Sequence, residues 1–171
     1  MRIFLTGFMG SGKSEVGRLL AARLGLPFVD LDREVEAGAG RSVAEIFAAE
    51  GEAGFRRREA AALRADAERA DAVVATGGGV VASQANRRWM REEGLVVWLD
   101  ADFPVLAGRL DEAERRARPL FADLGEAERL WRERLPAYRD CDLRVRVEAG
   151  ETAEETARRL AERLGERACA T

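Results

Sequence analysis

The sequence predicts an α/β fold, a three-layer sandwich in which a five-stranded parallel sheet is flanked by helices. Three observations predict it. Short apolar runs alternate with amphipathic stretches along the chain, the rhythm of strand–helix units. Leu95-Val96-Val97-Trp98-Leu99 is apolar at every position, as a strand covered on both faces requires. A glycine-rich turn, Gly7-Phe8-Met9-Gly10-Ser11-Gly12-Lys13-Ser14, follows the first apolar run and opens the first amphipathic one.

Taken in order, the strands are expected over Arg2 to Thr6, Pro27 to Asp30, Ala72 to Thr76, Leu95 to Leu99 and Leu143 to Val147. The last alternates apolar and arginine residues, the pattern of an edge strand with one wet face. Lys13 to Leu24 carries Val16, Leu19, Leu20 and Leu24 at helical spacing and stops at Gly25. Ser42 with Glu45 reads as a capping box for a helix through Ile46 and Phe47. Gly54 to Ala70 is rich in Ala and Arg, both good helix formers. Ser83 to Glu93, Pro104 to Leu110, Glu126 to Tyr138 and Thr152 to Leu164 complete the helices. Asp111 to Leu124 is polar, contains Pro119 and lacks apolar periodicity, so it reads as a long functional loop. Residues 166–171 read as a frayed tail.

Composition narrows the function. A chain of 171 residues suits one domain, and it buries enough surface to need no disulfide or metal staple. The net charge of −3 speaks against nucleic acid as a partner. The absence of His excludes histidine bases and histidine metal sites. Cys141 and Cys169 are far apart and fit a reducing compartment with free thiols. No apolar run approaches the ~20 residues of a membrane span. Met1 to Thr6 also lacks the long apolar region of a signal peptide. A cytoplasmic monomer without a membrane partner is the expectation. The basic residues are 27 Arg and a single Lys, Lys13, which falls inside the glycine-rich turn.

That turn matches G-x-x-x-x-G-K-S/T in the strand-to-helix context the motif needs. The backbone N–H groups around Gly10, Ser11 and Gly12 can point inward at phosphate, and the helix N-terminus adds partial positive charge. Lys13 supplies a point charge to the β- and γ-phosphates, and Ser14 offers a hydroxyl to Mg²⁺. A nucleotide is the expected ligand. Asp30-Leu31-Asp32 places two carboxylates at a strand end, where one can help hold hydrated Mg²⁺ and the other orient a hydroxyl. The same pair also reads as a helix N-cap plus a surface acid. Thr76-Gly77-Gly78-Gly79 lets a ligand approach the backbone closely, or is simply a flexible turn. Any one arginine among so many is most often solvated, so Arg56, Arg118 and Arg139 rest on their surroundings.

Together these residues resemble the shikimate kinase family, from Met1 to about Leu164. The resemblance is carried by the phosphate loop with Val16-Gly17, Phe28-Val29-Asp30-Leu31-Asp32, Gly40-Arg41-Ser42 with Glu45-Ile46-Phe47, and Gly51-Glu52 with Phe55-Arg56 and Glu59. It continues through Gly77-Gly78-Gly79, Arg118-Pro119-Leu120 and Tyr138-Arg139. It implies ATP-dependent phosphorylation of the 3-hydroxyl of shikimate, in the route to chorismate and aromatic amino acids. It implies the fold of the nucleoside monophosphate kinases, with a substrate subdomain at about residues 32–60 and a lid at about 111–124. By position, Lys13 contacts the transferring phosphoryl group, Ser14 and Asp30 serve the metal, and Asp32 binds shikimate and is the candidate base. Arg56 and Arg139 hold the carboxylate, Gly78 and Gly79 present N–H groups, and Arg118 closes from the lid. Arg109 is the expected adenine contact, and the segment from Glu148 to Thr152 borders the adenine.

The chain departs from the family at Glu15, where a small hydroxyl residue is usual, and in a longer approach to the lid, Arg109 to Ala117. A gluconate or nucleotide kinase of the same fold is the nearest alternative. A non-catalytic ATP-binding switch is another, and it would not need Asp32.

Overall fold

The two neighbouring residues Phe4 and Leu5 show how the layers form. Both are fully buried on strand β1 (Arg2–Thr6). Successive strand residues point to opposite faces. Phe4 meets Trp89 edge-on, with ring centroids 5.7 Å apart. Leu5 points the other way, toward Gly17. In this computed structural model, which describes residues 1–65, 71–110 and 123–169, helices therefore cover both sides of β1.

The sheet has five parallel strands in the order β2-β3-β1-β4-β5. The others are β2 (Phe28–Asp30), β3 (Ala72–Ala75), β4 (Leu95–Asp100) and β5 (Leu143–Arg146). Phe4 lies level with Val74 on one side and Val96 on the other. The chain builds β1 to β3 on one side, then crosses to place β4 on the other. A crevice at the carboxyl ends of the strands results, the usual ligand position in such sheets. Each expected strand is present to within one residue at either end.

The helices are α1 (Lys13–Leu24), α2 (Leu31–Ala39), α3 (Val43–Ala65), α4 (Gln84–Glu93), α5 (Phe103–Arg109), α6 (Leu124–Tyr138) and α7 (Ala153–Cys169), with a short 3₁₀ turn at Val80–Ala82. The Ser42–Glu45 capping box forms as expected, Glu45 accepting from the Ser42 N–H at 2.7 Å. Two readings change. Helix α2 was not expected: only Leu31 and Val35 are buried on it, and nine residues give too little periodicity to read. The two helices expected through Phe47 and from Gly54 both form, within the span α3, and meet at a kink at Gly51, whose φ of 67° is not helical. Residues 66–70 of that expected helix lie outside the described residues. The expected frayed tail at 166–171 is corrected as far as Cys169, because α7 continues to that residue. Of the expected lid at about 111–124, residues 111–122, including Arg118, lie outside the described residues; Leu124 opens α6 and Asp123 caps it by accepting from the Glu126 N–H at 2.8 Å.

Helix α7 has a second task. Its arginines 159, 163 and 167 share one face at i, i+4 and i+8. They donate to the carbonyls of Arg146, Arg144 and Asp142 in turn. The outer rim of edge strand β5 is thus covered by side chains.

Apolar packing divides in two. The main core runs through all five strands, while Val35, Ile46 and Phe55 form a separate small cluster under α2 and α3. Helix α1 lies close on the sheet because position 17 carries no side chain: a Cβ there would lie 2.7 Å from the Phe28 ring and 3.2 Å from Leu5. We predict that Gly17→Val overpacks this contact and costs about 1–3 kcal/mol, read as a lowered urea midpoint with unchanged m-value.

Candidate active site

The phosphate loop leaves β1 and is held from two sides. A Cβ at Gly10 would lie 2.7 Å from the Leu106 carbonyl of α5, and its φ of 82° is left-handed. The Ser11 N–H closes a tight turn onto the Phe8 carbonyl at 3.2 Å. Beneath it Thr76 stitches β3 to β1, donating from both its N–H and its hydroxyl to the Leu5 carbonyl at 3.1 and 2.9 Å. Lys13 folds over the loop and donates to the carbonyls of Gly7 at 2.8 Å and Phe8 at 3.1 Å. Its ammonium is thereby held over the loop that is expected to receive phosphate.

One cavity of about 740 Å³ starts at this loop and extends across the carboxyl ends of the strands. At the loop end it is bordered by Gly10, Gly12, Lys13, Ser14 and Glu15. Arg109 borders it too: its guanidinium donates to the Glu151 carbonyl at 2.7 Å. A Cβ on Gly12 would lie 3.6 Å from that guanidinium. Arg109 and the segment ahead of α7 thus flank the loop together.

At the far end lie Asp30, Asp32, Arg56, Glu59, Gly77, Gly78, Gly79 and Arg134. Asp30 and Asp32 do not both ride a strand. Asp30 ends β2 and caps α2, accepting from the Asp32 N–H at 3.2 Å, so the N-cap reading of Asp30 holds. Asp32 occupies the first turn of α2, and both carboxylates still border the cavity. The bend at Gly51 redirects α3 so that Phe55, Arg56 and Glu59 face inward. Glu59 has no exposed surface, and its Oε2 accepts from Arg56 Nη1 at 2.8 Å. Its other oxygen, Oε1, is buried without a hydrogen-bond partner and lies where a side chain on residue 77 would be. Burial raises the Glu59 pKa, and the Asp32 charge pushes the same way against Arg56. Burial works against the Arg56 charge, but Glu59 and Glu52 more than offset it and hold its pKa above the usual value.

The sequence reading put Arg139 at the substrate carboxylate; in the structure Arg134, and not Arg139, borders the cavity. Arg139 is exposed, follows the end of α6 and does not border the cavity. Arg134 is 7% exposed, borders the cavity, and packs with its guanidinium 6.0 Å from the Phe8 ring. The signal was present in helical spacing. Ala127, Arg134 and Tyr138 fall on the buried stripe of α6, and the residue after Tyr138 turns roughly 100° away. Glu59 was quoted as part of a motif but given no role; full burial of a carboxylate is visible only in three dimensions.

The shikimate kinase family model matches residues 9–165. A curated shikimate kinase from Symbiobacterium thermophilum is 52% identical over 141 residues, covering 81% of each chain. The crystal structure of shikimate kinase from Aquifex aeolicus superposes with a TM-score of 0.84 at 34% identity, over all of both chains. Shikimate kinase from Acinetobacter baumannii, solved in complex with shikimate, gives 0.85 at 34% identity, over 99% of this chain and 93% of that one. This chain belongs to the shikimate kinase family.

Proposed function

We propose that this chain transfers the γ-phosphoryl group of MgATP to the 3-hydroxyl of shikimate. As a family member it is a kinase that phosphorylates shikimate. The observation that carries the residue assignment is one cavity with two differently lined ends. A phosphate-cradling loop borders one end, and two arginines with Asp32 border the other. The two arginines suit a planar carboxylate. Asp32 suits a hydroxyl, which it orients or deprotonates. Gly78 and Gly79 offer backbone N–H groups between them. The relative solved with shikimate supports this choice of acceptor over gluconate or a nucleoside monophosphate.

Phosphoryl transfer passes through a loose, charge-rich transition state, so the protein chiefly positions groups and neutralises charge. Lys13 serves that purpose, and Arg118 from the lid at 111–124 joins it in our reading. The residues present fit a hard cation that keeps much of its water: Ser14 and Asp30 both border the cavity and would hold Mg²⁺. When bound, the ion neutralises phosphate charge. Residues 32–60 act as the substrate subdomain, a reading supported by their own apolar cluster. We read the protein as a cytoplasmic monomer without nucleic-acid or membrane partners. Among the described residues no helix is long and apolar enough to cross a membrane.

ADP release from MgATP, measured with shikimate, gluconate or AMP as acceptor, tests the reading; shikimate alone should stimulate it. Asp32→Asn should leave ATP binding intact and lower kcat by about 10²-fold or more; an unchanged kcat would remove Asp32 from the chemistry. Arg134→Ala should raise the shikimate KM about 10- to 100-fold, the loss of a charge-assisted pair worth ~1.5–3 kcal/mol. Arg139→Ala should leave that KM within about twofold; the reverse ranking would restore Arg139. Amine-reactive labelling of the only lysine, followed by mass spectrometry, should be suppressed by MgATP, and labelling indifferent to saturating MgATP would contradict its phosphate role.

A further inference from the structure

The peptide joining Gly78 to Gly79 is held from behind. Tyr138 is 1% exposed and does not border the cavity. Its hydroxyl donates to the Gly78 carbonyl oxygen at 2.5 Å, and Arg134 Nη1 reaches the same oxygen at 3.4 Å. The ring has little freedom, since it stacks on Trp98 with planes 12° apart and centroids 6.0 Å apart. Two residues on, Asp140 accepts from Arg87 and Arg91 of α4. Arg87 also donates to the Val81 carbonyl at 2.6 Å, so the turn after the glycines is tied to the same place. Burial raises the Tyr138 pKa, which keeps the phenol a protonated donor.

A trans peptide is planar, and its C=O and the following N–H point in opposite directions. Fixing the Gly78 carbonyl toward Tyr138 therefore fixes the Gly79 N–H on the other side. Gly79 lines the cavity there, against Arg56 so closely that a Cβ would collide with the guanidinium. Arg56 and Arg134 are the two cations assigned to the substrate carboxylate, and both lie against this peptide.

We propose that Tyr138 is a positioning residue: through the Gly78 carbonyl its hydroxyl aims the Gly79 N–H at the shikimate carboxylate, as a third donor beside Arg56 and Arg134. This rests on the reading of shikimate as substrate. Removing the hydroxyl leaves the Gly78 carbonyl with only the long Arg134 contact and lets the peptide rock, so the cost falls on carboxylate recognition and spares ATP.

The test compares wild type with Tyr138→Phe on shikimate and on its methyl ester, which lacks the negative carboxylate. Shikimate turnover by the wild type checks the substrate reading by itself; its absence would sink that reading and this inference with it. Given turnover, Tyr138→Phe should raise the shikimate KM about 5- to 10-fold and leave the ATP KM within about twofold. The preference for shikimate over the ester, as a ratio of kcat/KM values, should shrink by a similar factor. An unchanged preference, or equal losses for ATP and both acceptors, would overturn the proposal in favour of a purely structural tyrosine. Should the Phe variant fail to fold, the chain's single tyrosine offers a second route. Growth on 3-fluorotyrosine labels this position alone. Its ¹⁹F resonance should move on titration with shikimate and move less with the ester; a signal indifferent to shikimate would overturn the assignment.

Discussion

Glu59 is a carboxylate with no exposed surface, set among the groups that line the cavity. A buried charge is tolerated only when it is paired, and removing its partner costs far more than the pair contributes. Arg56, one helical turn earlier, supplies that partner. The second carboxylate oxygen fits only because residue 77 has no side chain. Asp32 adds negative charge nearby, and Arg134 opposes it. Arg56, Glu59, Gly77 and Asp32 therefore form one electrostatic unit. Replacing Glu59 would leave the more exposed Glu52 as the carboxylate paired with Arg56 among the described residues.

The order of strands sets where this unit meets the nucleotide. Because β1 lies between β3 and β4, the loop after β1 and the glycines after β3 emerge side by side. A Cβ on Gly78 would lie 3.4 Å from the Met9 N atom of the phosphate loop. The donor and acceptor ends of the cavity are thus separated by one layer of backbone, and the Thr76 hydrogen bonds to Leu5 tie those two segments together. Lys13 donates to two loop carbonyls, so in our reading the phosphate meets a cation already in place instead of one recruited from solvent.

Much of this could be read from residue order. The strands are short, apolar and bounded by glycine or aspartate, so period and composition locate them to within a residue. The phosphate loop is legible because its glycines, lysine and serine have fixed spacing with a local physical cause. Helix α2 was not legible: its N-cap, Asp30, doubled as a site residue, and two buried side chains carry no readable period. Arg134 was not legible for another reason. It lies one helical turn before Tyr138, outside the Tyr138-Arg139 pair that carries the resemblance, and only its burial marks it. The burial of Glu59 depends on a gap at residue 77, eighteen positions away, and local pattern does not report such a coincidence.

The arginines of α7 that cover β5 bear on the conditions this fold can endure. An uncovered edge strand can template pairing with another chain. A lysine ammonium would guard it as a point charge on a flexible stem, whereas a guanidinium is a planar fork of several N–H donors. Each fork here occupies an outward carbonyl that would otherwise accept from a second chain. In a chain with a single lysine, the bias toward arginine thus gives the sheet a guard against fibre-like stacking along β5.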